Sequence, residues 1–150
     1  MSLRPQKTVK RPTTPYERIG RRAPVTHLVQ RFYDLMESNP AYAELRSIHS
    51  DDLTEMRESL TDFLVAWMGG PRDWFDKKPG ACIMSAHAAM RGIDEITARQ
   101  WMDCMTEAAA DLAQKDPQLA QSMLTSMQSM GKTMVARAKA AQEAKVATDE

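Results

Sequence analysis

The sequence predicts an all-α fold, and three observations lead there. Apolar residues recur at spacings of three and four along most of the chain, which marks one face of a helix. No stretch alternates apolar and polar side chains for long enough to make a strand. Prolines, glycines and aspartates interrupt the apolar runs where helix ends belong. The 150 residues fit one domain, or one domain with a tail, and can bury a core without a disulfide or metal staple. Hydrophobic residues make up 43% and charged ones 27%, a balance typical of soluble globular proteins. No uninterrupted apolar run is long enough to span a membrane, and the basic N-terminus lacks the apolar core of a signal peptide. Cys82 and Cys104 do not make a disulfide framework, which points to free thiols in a reducing cytoplasm.

The net charge of zero averages unlike parts. Residues 1–24 carry seven basic side chains against Glu17, so the remaining residues are net acidic. A basic arm can touch nucleic acid or anionic lipid. Pro5, Pro12, Pro15 and Pro24, with few apolar residues among them, favour a solvated leader with no binding role. The folded domain is expected over 25–138, with a frayed charged tail over 139–150. No nucleic-acid or membrane partner is expected.

After Pro24, Val25, Leu28, Val29, Phe32, Leu35 and Met36 define an amphipathic helix that fades at Ser38-Asn39-Pro40. Ala41 to Ile48 makes a short helix or turn. Asp51 or Asp52 caps a long helix through Leu53, Met56, Leu60, Phe63, Leu64 and Trp67, which Gly69-Gly70-Pro71 stops. Residues 71–81 read as an irregular loop, and a short helix follows around Cys82–Met90 until Gly92 breaks it. Asp94 or Thr97 opens a helix through Ile96, Trp101, Met102, Met105, Ala109 and Leu112. Asp116-Pro117 starts the last helix, with Leu119, Met123, Met127, Met130 and Met134 on one stripe. That stripe suggests soft copper(I) ligands, but methionine is also a flexible core filler and the spacing is that of a core-facing helix. Part of it could line a homodimer interface; monomer and homodimer both stay open.

The chain has no Gly-rich phosphate loop, CxxC pair, HExxH or GxSxG, so nothing in it points to nucleotide chemistry, zinc hydrolysis or acyl transfer. His27 lies on the polar side of the first long helix and reads as a surface residue. His87 sits mid-helix among small and apolar neighbours, so it is either a satisfied core residue or a ligand through a neutral imidazole nitrogen. A lone histidine cannot build a zinc site, whereas haem needs only one because the porphyrin supplies four nitrogens.

Five segments in order resemble a known family. They are Phe32-Tyr33-Asp34, His49-Ser50-Asp51-Asp52-Leu53, Phe63-Leu64-x-x-Trp67-Met68-Gly69-Gly70-Pro71, His87, and Gln100-Trp101-Met102-x-Cys104-Met105. Together, over residues 25–112, they resemble the group II truncated haemoglobins. The spacing from Pro71 to His87 also suits that family's long loop before its proximal helix. The resemblance implies a truncated globin-like two-over-two helical sandwich around haem b. It makes His87 the proximal iron ligand and Tyr33, His49 and Trp101 the distal groups that stabilise a bound gas. Phe32, Met56, Leu60 and Phe63 become pocket residues, the last three sharing one helix face at i, i+4 and i+7.

Tyr33 and Trp101 each join a large apolar body to one donor that seeks a partner when buried. Such donors favour O2, which gains partial negative charge at ferrous iron, over neutral CO. Slow oxygen release would follow, which suits redox chemistry on O2, NO or peroxide better than bulk oxygen transport. The chain holds no flavin or nicotinamide motif, so turnover would call on an external electron donor. Two departures bear on haem orientation. Relatives place arginines before the proximal histidine, where this chain has Met84, Ser85 and Ala86, so propionate pairing falls to Lys77, Lys78, Arg72 or Arg91. A Pro-Phe-Pro-like stretch is replaced by Ala88-Ala89-Met90-Arg91-Gly92. The alternative is a globin-derived helical interaction module that has lost haem. Retention of Tyr33, His49, His87 and Trp101 speaks against it, because buried polar groups destabilise a fold when left unpaired.

Overall fold

The structure, a computed structural model, describes residues 13–72 and 92–148. The loop at 73–81, the short helix expected over Cys82–Met90, and with it His87, lie outside the described residues. Within them the chain is helical, with no strand.

Helix α1 (Pro15–Ile19) begins inside the segment expected to be a solvated leader. Thr14 caps it by accepting from the Glu17 amide at 3.2 Å, with Pro15 in the first turn. Ile19 is 1% exposed, and the Tyr16 amide donates to the Met68 carbonyl at 3.0 Å. The folded region therefore starts earlier than residue 25. Five residues are too few to display a helical period, so only the tertiary contacts reveal this helix. Two of the leader's cations are also engaged, Arg18 with Asp116 at 3.4 Å and Arg22 with the buried Asp62 at 2.6 Å.

Helix α2 (Arg22–Ser38) buries Val25, Leu28, Val29, Phe32, Tyr33 and Met36. A 3-10 turn (Pro40–Tyr42), capped by Asn39, leads into α3 (Ala43–Ser47). Helix α4 (Thr54–Trp67) starts where Asp52 accepts from both the amide and the hydroxyl of Thr54, at 2.9 and 2.6 Å. Leu53 occupies the N-cap position without a side-chain cap bond, so neither Asp51 nor Asp52 is the cap; Asp52 instead holds Thr54, the first helical residue.

Helix α5 (Glu95–Ala108) uses Asp94 and Thr97 together. Each accepts from the other's amide, at 2.9 and 3.0 Å, in a reciprocal capping box. The expected single run through Leu112 is broken at Ala109, and α6 (Ala110–Lys115) turns off before α7 (Pro117–Thr148). Leu112 stays in the core. Helix α7 continues through the segment assigned to a frayed tail, and its residues from 139 onward are exposed. Met123 and Met127 are buried in the core and Met130 packs against it, as the stripe predicts.

Helix α2 packs on α4 along one side and on α5 along another, and α5 packs in turn on α3 and α7. Two helical pairs, α2 with α4 and α5 with α7, form the body of the domain.

The Gly69-Gly70 pair does more than end α4. A Cβ on Gly69 would lie 2.9 Å from Thr14, and one on Gly70 would lie 2.8 Å from both the Tyr16 ring and Val65. Gly69 has a φ of +94°, which disfavours any side chain besides. The glycines are the seat for α1. Gly70→Ala should lower stability by about 1–3 kcal/mol, the usual cost of overpacking a tight contact, as read from the urea unfolding midpoint.

Candidate functional site

Phe32 and Tyr33 are neighbours on α2, about 100° apart around its axis. Both are buried because α2 is covered from two sides. The Phe32 ring meets Tyr33 edge-on at 4.9 Å and Trp101 of α5 at 5.1 Å. Tyr33 in turn meets the His49 ring at 6.1 Å, nearly perpendicular. Three sequence-distant segments thus bring Trp101, Phe32, Tyr33 and His49 into one aromatic array. Edge-to-face contacts at these separations are favourable beyond the area they bury.

The Trp101-x-x-Cys104 spacing has a direct structural cause. Residues three apart share a helix face, and this face of α5 meets α2. Cys104 is fully buried and its thiol donates to the Phe32 carbonyl at 3.2 Å. Burial pushes that thiol up to about 12, with the nearby Glu107 carboxylate adding to the effect. It is a packing residue without thiolate chemistry.

His49 follows α3, and its Nδ1 lies 2.8 Å from the Leu45 carbonyl. A carbonyl only accepts, so Nδ1 carries the proton. In the neutral ring Nε2 is then an acceptor, and only the imidazolium donates from that atom. This refines its expected part as a distal donor: among the three, Tyr33 and Trp101 are donors at any neutral pH, whereas His49 needs a second proton.

Tyr33 is buried, and among the described residues no deeply buried side-chain nitrogen or oxygen is left unpaired. Burial raises its phenol well above the ordinary range; the Arg57 cation opposes that shift and Cys104 adds to it. The hydroxyl stays protonated across the working pH range and keeps its proton for donation.

Thr61, Leu64 and Val65 of α4, with Met68 just past its end, form a buried edge. Met56, Leu60 and Phe63 form an adjoining edge that packs on the core while staying half-buried, as do Trp101 and Met102 of α5. A half-covered apolar strip of this kind fits a flat apolar group. No cluster of three or more His, Cys, Asp or Glu side chains among the described residues could hold a bare metal ion. Haem asks for a single protein ligand, and the half-buried apolar Met56, Leu60 and Phe63 suit its flat apolar face. The proximal candidate His87, and Lys77, Lys78 and Arg91, lie outside the described residues. Arg72 is exposed in the coil after α4 and is already engaged in an interaction. His27 is exposed and pairs with Asp111 at 3.2 Å, tying α2 to α6 at the surface.

Two residues of the site had no assigned role in the sequence. Gln100, beside Trp101, accepts from the Leu45 amide at 3.0 Å and donates to Glu44 at 2.7 Å. It ties α3 to α5 and so fixes where His49 stands relative to Trp101. Arg57 of α4 places its guanidinium 5.6 Å from the Tyr33 ring centroid and pairs with Asp34 and Glu37 of α2. Its signal in the sequence was the ridge Gln30, Asp34, Glu37 at i, i+4, i+7 on α2, which asks for a cation opposite.

The family model of the bacterial-like globins matches residues 14–136. The chain belongs to that family, among its group II truncated haemoglobins. It is 31% identical over 94 residues to the group 2 truncated haemoglobin YjbI of Bacillus subtilis, covering 63% of this chain and 67% of the relative. The fold resembles the cold-adapted truncated haemoglobin of the Antarctic marine bacterium Pseudoalteromonas haloplanktis TAC125, with a TM-score of 0.75 and 29% identity, covering 82% of this chain and 98% of that one. It equally resembles the group II 2-on-2 haemoglobin of the plant pathogen Agrobacterium tumefaciens, with a TM-score of 0.75, 28% identity and coverage of 81% and 93%. By family it is a haem protein that binds small gaseous ligands.

Cys104 offers a check on the core of the site. In a Cys82→Ser background, Cys104 should not react with Ellman's reagent between pH 7 and 9, since its thiolate forms only near pH 12 and the sulfur is covered. Reaction should appear only on adding denaturant. Rapid labelling of the native protein would show that the α2–α5 contact is open.

Proposed function

We propose that the chain binds O2 at a single haem b iron held by His87, with Tyr33 and Trp101 as the donors that retain the ligand. The observation that carries this reading is the aromatic array Trp101–Phe32–Tyr33–His49, in a core against which Met56, Leu60 and Phe63 pack while staying half-buried. When bound, the haem supplies a ferrous iron that takes a diatomic ligand, NO and CO among them.

The chain's own residues do the rest. Phe32, buried between Tyr33 and Trp101, keeps their rings apart and fixes both. The protonated Tyr33 hydroxyl and the Trp101 indole N–H aim hydrogen bonds at the charge that a polar ligand carries. A hydrogen bond to a charged group is worth ~1.5–3 kcal/mol, and each ~1.4 kcal/mol is tenfold in escape rate if it breaks on release. Two such donors hold O2 tightly while doing little for CO. A retained ligand suits NO dioxygenation or peroxide reduction, with electrons from an external donor, better than oxygen delivery.

Titration of the purified chain with haemin should give a sharp Soret band at one equivalent and a ferrous–CO spectrum. His87→Ala should abolish or blue-shift that band. Absence of stoichiometric binding in the wild type would sink this reading in favour of a haem-free interaction module. Trp101→Phe should speed oxygen dissociation about tenfold, measured by stopped flow, on the strength of one lost hydrogen bond. His49→Phe should change the rate of oxygen release, measured in the same way. An unchanged rate would remove His49 from the distal set.

A further inference from the structure

Arg57 stands outside every motif in the sequence, yet it is the most heavily bonded cation described near Tyr33. Its guanidinium donates to the Gln30 carbonyl at 3.3 Å, to the Gln30 side-chain oxygen, to Asp34 at 2.9 Å and to Glu37 at 3.0 Å. All three partners lie on α2, while Arg57 itself is on α4. Gln30, Tyr33, Asp34 and Glu37 fall at i, i+3, i+4 and i+7, so they share one face of α2. Three of them are exposed, and Tyr33 in their midst is buried. The guanidinium, 5.6 Å from the centre of the Tyr33 ring, spans this face. Its side chain is 19% exposed, against 71% for Asp34 and 46% for Glu37. It is packed down onto the ring and held there by the carboxylates.

We propose that Arg57 is a positioning residue for Tyr33: forked across Gln30, Asp34 and Glu37, it roofs the phenol ring, keeps water from that face, and holds the hydroxyl in place as a ligand donor. This rests on the reading of Tyr33 as a distal donor. The planar fork matters, because a guanidinium can meet three partners on one helix ridge while its face stays against an aromatic ring. A cation against the ring also draws electron density from the phenol and strengthens its O–H as a donor. The ammonium of lysine is a point charge on a flexible stem and cannot cover the same span.

The test uses the full chain with tyrosine labelled with carbon-13 at Cζ, with and without haem, the Tyr33 signal assigned from Tyr33→Phe. Tyr16 and Tyr42 serve as internal references. Arg57→Met, similar in length and uncharged, should move or broaden the Tyr33 resonance while leaving those of Tyr16 and Tyr42 in place. In the haem-loaded chain it should speed oxygen release about tenfold, the loss of one charge-assisted hydrogen bond, and shift the C–O stretch of the CO form. Arg57→Lys keeps the charge without the fork, so both readouts should fall between Arg57→Met and wild type; it also serves if the methionine variant folds poorly. An unmoved Tyr33 resonance in both variants would overturn the inference. So would a moved resonance with oxygen release unchanged, provided that Tyr33→Phe alone speeds release. If Tyr33→Phe leaves release unchanged, the distal reading of Tyr33 fails and the ligand half of this inference fails with it, whereas the resonance shift separately decides whether Arg57 holds the ring.

Discussion

Helix α2 must be buried on two sides at once, and the remainder of the domain is arranged to meet that demand. Phe32 and Tyr33 are consecutive and both are under 3% exposed. Consecutive helical residues point about 100° apart, and here two different helices cover them. α5 covers the Phe32 side, where Trp101 and the Cys104 thiol meet it. α4 covers the Tyr33 side, where Arg57 lies over the ring. The two-over-two arrangement is the least elaborate solution, because each partner of α2 then needs only one further contact layer. For α5 that layer is α7, with Met123 and Met127 in the core.

This double burial also makes the site. Packing a phenol and an indole on either side of one phenylalanine gives two donors whose positions are set by rigid helices rather than by loops. Their polar atoms are kept useful by what surrounds them: Tyr33 stays protonated because it is desolvated, and the Cys104 thiol is satisfied by a carbonyl and withdrawn from chemistry. His49 is held by Leu45 and, through Gln100, by the contact of α3 with α5. The same helices that close the core leave Met56, Leu60 and Phe63 half-covered, an apolar edge that a haem would finish covering.

Much of this was legible in the sequence. The apolar stripe of α2, the cap and breaker residues, and the methionine spacing of α7 are local patterns, and local patterns report helix faces directly. Phe32-Tyr33 and Trp101-x-x-Cys104 stood out through their resemblance to segments of the group II truncated haemoglobins. Less legible were contacts that join distant segments through polar groups. Arg57 looks like any solvated arginine until Gln30, Asp34 and Glu37 are seen across from it. The proton position on His49 depends on a carbonyl four residues earlier, which a sequence does not orient. Helix α1 leaves no such pattern, because one buried Ile19 and a backbone bond to Met68 carry no period.

The sequence by itself determined the helical class, most helix boundaries and the residue types available for a gas-binding pocket, since these follow from side-chain spacing along a single helix. Only the tertiary structure decided which of those residues meet. It folded α1 against the Gly69-Gly70 seat, split the α5 run at Ala109, and put Leu53 rather than either aspartate at the N-cap of α4. It also set Arg57 over Tyr33 and left His49 an acceptor at Nε2 in its neutral form. The reason is physical: hydrophobic periodicity is a one-dimensional signal, whereas hydrogen bonds and ion pairs are fixed by distance and direction between elements that are far apart in the chain.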